Sequence, residues 1–237
     1  MRRFIPNCIT AMNLACGTAA IVCSFKGRVD IAFLLMLAAA LFDFLDGLAA
    51  RLLHSVSAMG RELDSLSDLV SFGLLPAMML YNTARACMFG ENILCWIPLL
   101  LAVFSGLRLA KFNVDERQRD AFLGLPTPAC ALLVGALCHY IACDPASFLA
   151  IWCAGPVFIP VLTLCLCALL VCEIPMFSMK FHRDDSATLK GKRLAFCFWM
   201  AAAAIICVAF RLPWSAAILL GFLFYIVKNI VYALLRI

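Results

Sequence analysis

Four aspartates, Asp43, Asp46, Asp64 and Asp68, stand in the stretch FDFLDGLAARLLHSVSAMGRELDSLSD, which begins inside a strongly apolar segment. An aspartate in a lipid-spanning helix is unfavourable by roughly 2.5 to 3.5 kcal/mol on insertion scales, so this cluster needs a compensating role. Asp43 and Asp46 are three residues apart and share one helix face; Asp64 and Asp68 are four apart and share another. The segment Leu53–Met59 between them reads as a turn. Two antiparallel helices can therefore present carboxylate pairs to each other. Like charges this close repel unless something positive lies between them. Mg²⁺ or Mn²⁺ suits an all-oxygen cage, and four carboxylates are enough for two divalent cations about 3.5–4 Å apart. Such a site would bind a pyrophosphate and stabilise a leaving phosphate oxygen. Gly47, Ala50 and Gly60 are small and let a bulky group approach the backbone, while Arg51 offers a planar fork for phosphate. Two other readings compete: ion pairs of Asp64 with Arg61 or Arg51, and a transporter's cation path. Transporter acids usually spread over several helices near the bilayer midplane, whereas these cluster on two adjacent helices.

The elements that must carry these acids follow from hydropathy. Of the 237 residues 65% are hydrophobic and only 14% charged, where a soluble domain carries about 25% charged residues. Mean hydropathy is +1.02. The chain reads as one all-α, polytopic membrane bundle spanning residues 1–237, with no polar linker dividing it. At about 20 apolar residues per span, the candidate spans are Ile9–Phe25, Ile31–Leu53, Leu66–Ala86, Ile93–Leu109, Leu125–Ala142, Phe148–Cys172, Leu194–Phe210 and Trp214–Leu235. With the N-terminus inside, the cytoplasmic loops receive Arg2, Arg3, Arg51, Arg61, Lys111, Arg117, Arg119, Lys180, Arg183, Lys190, Lys192, Arg193 and Arg236. The opposite side receives only Lys26, Arg28, Arg85 and Arg211. This positive-inside asymmetry predicts both termini, and the four aspartates, at the cytoplasmic surface of the cell membrane. The start MRRFIPNCITAMN carries early arginines, but its apolar run is broken by Pro6, Asn7, Thr10 and Asn13. It is expected to be retained as the lead into the first span. The net charge of +5 fits basic loops against anionic headgroups, not nucleic acid. The 14 cysteines have neither paired CxxC spacing nor a histidine cluster and read as small packing residues.

The spacing D-x2-D-G-x2-A-R-x8-G-x3-D-x3-D resembles the signature of the CDP-alcohol phosphatidyltransferases, matched at Asp43, Asp46, Gly47, Ala50, Arg51, Gly60, Asp64 and Asp68. The resemblance implies an integral membrane enzyme that moves a phosphatidyl group from a CDP-linked lipid to an alcohol and releases CMP. It also implies that the four aspartates ligate two metals and that Asp68 acts as general base. Gly47, Ala50, Arg51 and Gly60 would line the CDP pocket, with Asn7 and Thr10 nearby in an element similar to the family's early P-N-x-x-T. Helix capping by Asn7 or Thr10 is the plainer alternative.

Two further stretches look like the phosphatidylserine synthase branch: IPNCITAMNLACG, residues 5–17, and GLRLAKFNVDERQRDAFLGLPTPA, residues 106–129. The branch typically carries R-L-A-R-F-N, where this chain has Lys111 in place of the second arginine. The charge stays and the bidentate fork is lost. Arg108 or Lys111 could hold a serine carboxylate and Asn113 could add a hydrogen bond; snorkelling to headgroups is the alternative for the two bases. The Gly-Leu-Pro-x-Pro turn is expected to end a loop and start the next helix. The partners implied are CDP-diacylglycerol, L-serine and membrane lipid. The family often forms homodimers, although nothing in the sequence locates an interface. Alternatives are a sibling enzyme using glycerol 3-phosphate or an inositol phosphate, and, from another class, a cation transporter or lipid-binding protein.

Overall fold

The early apolar run forms α1, Phe4–Phe25, and tolerates Pro6 because proline is accommodated in a first helical turn. In the computed structural model, residues 4–55, 57–87, 92–114, 122–176 and 187–235 are described. Arg2, Arg3, Arg117, Arg119, Lys180, Arg183 and Arg236, which entered the charge asymmetry, lie outside them. After α1 come α2, Val29–Leu52; α3, Ala58–Asp68; α4, Leu75–Cys87; and α5, Leu100–Val114. A π-helical stretch, Leu69–Leu74, joins α3 to α4, and a 3-10 stretch, Ile93–Leu99, leads into α5. Then follow α6, Thr127–Cys143; α7, Phe148–Ala154; α8, Phe158–Val171; α9, Ala187–Ala209; and α10, Ser215–Leu235. One two-residue antiparallel ladder, absent from the sequence expectation, pairs β1, Phe122–Leu123, with β2, Pro175–Met176, placing Phe122 opposite Met176.

The all-helical membrane architecture expected from the sequence is present. Among the described residues, five helical runs are long and apolar enough to cross a bilayer: Phe4–Phe25, Val29–Leu52, Ala58–Cys87, Ile93–Val114 and Ser215–Tyr232. A sixth arises if α6 and α7, bent by 102° to one another, count as one span. This is fewer than the expected eight. The run 148–172 is not one helix: it breaks at Gly155, which is extended at φ −71° and ψ 145°. The next residue is Pro156, and a proline drives its predecessor out of helical conformation. The remaining α8 has 14 residues, about 21 Å at about 1.5 Å per residue, short of a hydrocarbon core of about 30 Å. In α9 the apolar stretch among the described residues is Ala195–Ala209.

α6 is buried on nearly all sides and takes the centre, packed against α2, α4 and α10. Gly135 permits the close approach of α2, since a Cβ there would meet the Phe33 ring and Met36 sulfur at 2.8 Å. On the other side of α2, α1 runs alongside it and packs on α3 and the π stretch. A Cβ at Gly17 of α1 would run into Ser71 Oγ. Ser67 and Ser71 also donate across this seam to the carbonyls of Thr10 (3.4 Å) and Asn13 (3.2 Å). The segment carrying Asp64 and Asp68 is thus clamped onto α1. The cysteines form no disulfide.

Candidate active site

The hairpin joining α2 and α3 brings the acids together. α2 ends with His54 in the left-handed region at φ 46°, while His54 N–H and Ser55 N–H donate to the carbonyls of Arg51 (3.3 Å) and Ala50 (3.0 Å). That pair of bonds is a Schellman closure, which satisfies the last carbonyls of the helix and reverses the chain. Three residues on, Ser57 caps α3, its Oγ accepting from Gly60 N–H at 3.0 Å. The returning helix sets Asp64 and Asp68 opposite Asp43. Each of these three offers one carboxylate oxygen, and those oxygens lie within 4.8 Å of one another. All three residues are half-buried. Asp46, at 5% exposure, is outside this trio and belongs to the neighbouring cavity.

Two cavities meet at the carboxylates. The smaller, of about 170 Å³, lies between α1, the end of α2 and the start of α3, and its wall includes Asn7, Thr10, Asp46, Gly47, Ala50 and Gly60. A Cβ at Gly47 would meet nothing within 4 Å, so this glycine leaves backbone open to the space. At Gly60 a Cβ would stand 3.0 Å from Asn7 Oδ1 and from Ser57 Oγ. Neither Asn7 nor Thr10 caps a helix, since α1 begins at Phe4 and Thr10 Oγ1 donates to the Pro6 carbonyl at 3.0 Å. Arg51 does not line this cavity; its Nε donates back to the Gly47 carbonyl at 3.0 Å and the side chain is exposed.

The larger cavity, of about 320 Å³, is walled by Asp43, Asp64 and Asp68, by Arg108, Phe112 and Asn113 of α5, by the Pro126–Ala129 start of α6, and by Phe222 and Tyr225 of α10. Arg61 and Asp64 border both cavities. Arg108 is 7% exposed, gives its Nη1 to Thr127 Oγ1 at 3.1 Å, and feels the charge of Asp68. Asn113 donates to Ser65 Oγ at 2.9 Å. Lys111 stands apart: its ammonium pairs with Glu173 at 3.1 Å and it is outside the cavity lining. The Gly-Leu-Pro-x-Pro turn does start α6, as expected. Gly124 adopts φ +78°, and a Cβ there would meet the Cys172 and Leu170 carbonyls at 2.7 and 2.8 Å, so only glycine fits the end of α8. Gly124 and Leu125 N–H donate to the carbonyls of Ile174 and Leu169, which locks the turn.

A profile of the CDP-alcohol phosphatidyltransferase family matches residues 3–160. This chain belongs to that family. A CDP-diacylglycerol–serine O-phosphatidyltransferase of Bacillus subtilis is 41% identical over 125 residues, covering 53% of this chain and 70% of its own length. One of Mycobacterium leprae is 32% identical over 221 residues, 90% of this chain and 70% of its own. An archaetidylserine synthase of Methanothermobacter thermautotrophicus is 36% identical over 134 residues, 56% of each chain. For a CDP-alcohol phosphatidyltransferase the arrangement is chemically apt: a carboxylate trio able to hold divalent cations stands where the two cavities join. Arg61, Thr127, Phe222 and Tyr225 border these cavities without having been marked as site residues by the sequence. Arg61 carried a signal in its place next to Gly60 and one turn before Asp64. The α10 pair carried none, because it lies beyond the matched residues in a run distinguished only by hydropathy.

Proposed function

We propose that this protein transfers the phosphatidyl group of CDP-diacylglycerol to L-serine, giving phosphatidylserine and CMP. One observation carries the reading: Asp64 borders both cavities, and the wall it shares with Asp43 and Asp68 holds Arg108, a buried cation suited to a carboxylate. The names of the relatives from Bacillus and Mycobacterium point to the same reaction. In this reading the CDP moiety occupies the smaller cavity beside Asn7, Thr10, Gly47, Ala50 and Gly60, and serine enters the larger one.

Asp43, Asp64 and Asp68 would hold the divalent cations, with Asp46 contributing from the nucleotide side; the donor set is all carboxylate, which suits Mg²⁺ or Mn²⁺. Cations held there would supply positive charge to the pyrophosphate and to the departing phosphate of CMP. Asp68 takes the proton from the serine hydroxyl. The serine oxygen forms a bond to the phosphorus that bears diacylglycerol, the bond from that phosphorus to the CMP oxygen breaks, and CMP leaves. Arg108 and Asn113 orient the acceptor, and Arg61 at the junction attends the phosphates. Arg51 meets the nucleotide only by leaving its bond to Gly47. Lys111 acts by holding the end of α5 to the segment after α8. The site faces the cytoplasm, with both chain ends on that side, in accord with the distribution of basic loop residues.

The purified protein, given CDP-diacylglycerol and a panel of acceptors, is expected to release CMP with L-serine and not with glycerol 3-phosphate or inositol phosphate. Release with glycerol 3-phosphate in preference would move the protein to the sibling reaction. Failure to release CMP with any alcohol would return the aspartates to a transport or lipid-binding role.

A further inference from the structure

Arg108 is held in an unusual way for so buried a cation. A guanidinium is a planar fork of five N–H donors, and its Nε–H and Nη2–H run parallel along one edge, matched to the two oxygens of a carboxylate. In this site the opposite side is occupied: Nη1 donates to Thr127 Oγ1 at 3.1 Å. The Nε and Nη2 atoms are buried and have no hydrogen-bond partner among the described residues. Donors on a buried charge are costly to leave unmade, so a site that keeps them so is one that a ligand completes. The guanidinium stands in the wall of the larger cavity with Asp68.

Thr127 is itself rigidly placed. It is 1% exposed and opens α6 directly after Pro126, whose backbone is extended at φ −60° and ψ 135°. The turn before it is pinned through Gly124 and Leu125 to the end of α8. Water cannot readily replace a hydroxyl so enclosed.

We propose that Thr127 is the positioning residue for acceptor selection: by holding Nη1 it presents the Nε–Nη2 edge of Arg108 to the carboxylate of the incoming amino acid. This rests on serine transfer as the reaction. The same edge would also suit a phosphate oxygen of the lipid, and kinetics separate the two. Thr127→Val keeps the shape and removes the hydroxyl. The KM for serine is expected to rise about tenfold, with the KM for CDP-diacylglycerol within about twofold of wild type, as for a lost contact to one substrate only. Thr127→Ser restores the serine KM to within about threefold, because it returns the acceptor oxygen. Serine amide, offered as a competitor of serine, reads the carboxylate directly. Wild type prefers serine to its amide, and Thr127→Val loses most of that preference. The preference is a ratio within one preparation, so a partly unfolded variant still reports it. An unchanged serine KM and preference in Thr127→Val overturns the proposal, as does a lipid KM that rises by the same factor. Wild type that releases no CMP with serine removes the transfer reading itself, and the proposal with it.

Discussion

At the scale of single residues, the trio of carboxylates and the buried guanidinium divide the labour. Asp68 borders the same cavity as Arg108 and Thr127, as Asp43 and Asp64 do, and its charge is the one that acts on Arg108, which suits it to take the acceptor's proton. Asp68→Asn keeps the volume and removes the base; turnover is expected to fall by about 10² to 10⁴ while CDP-lipid binding stays measurable by equilibrium titration. Wild-type turnover in that variant would remove Asp68 from the base role. The two bases of α5 separate cleanly as well. Arg108→Lys preserves charge but not the fork, and the serine KM is expected to rise at least about tenfold. Lys111→Ala breaks a surface pair with Glu173 whose side chains are 37% and 64% exposed. Pairs of that kind are worth about 0–1 kcal/mol, so the serine KM should stay within about threefold. A larger change for Lys111 than for Arg108 would reverse the assignment. The aspartate spacing announced this chemistry from sequence, because i, i+3 and i, i+4 positions share a helix face whatever the tertiary setting. The difference between Arg108 and Lys111 was not legible there, since which of two bases one turn apart on α5 becomes covered depends on what packs against each.

At the scale of elements, short backbone devices deliver these side chains. The Schellman closure at His54 and the Ser57 cap reverse the chain from α2 into α3, which packs on α1. The π stretch directly after Asp68 contributes Ser71 to the α1 seam; such stretches frequently accompany functional sites. The other device is the turn at Gly124. Gly124→Ala places a methyl against two carbonyls and forces a left-handed φ on an L-residue, so a loss of about 1–3 kcal/mol is expected. Thermal unfolding in detergent measures it, and the serine KM should rise too because Thr127 follows three residues later. Unchanged stability would show that the turn relaxes freely. The sequence indicated the turn through its Gly-Leu-Pro-x-Pro pattern. Its anchorage on the end of α8 is a long-range contact that no local pattern encodes. The break at Gly155–Pro156 was readable from the proline yet outweighed by the length of the apolar run.

At the scale of the whole molecule, α6 serves as the axis and the site lies where α2, α3, α5, α6 and α10 converge. α10 closes the larger cavity with Phe222 and Tyr225 although it is the last element in the chain. In the orientation proposed from the basic loop residues, the ends of α2 and α5 face the cytoplasm. A green fluorescent protein fused after Ile237 is expected to fluoresce in bacterial cells, whereas an alkaline phosphatase fused there should be inactive. The reverse pair of results would place the site on the opposite face. Taken alone, the sequence determined the membrane class, the carboxylate pairs and the family signature, because hydropathy and helix-face spacing are local properties of consecutive residues. Only the tertiary structure decided that Asp46 falls outside the trio, that Arg51 folds back on Gly47, and that Arg108 is held by Thr127 inside a cavity. Those outcomes depend on contacts between helices distant in sequence, and packing alone sets them.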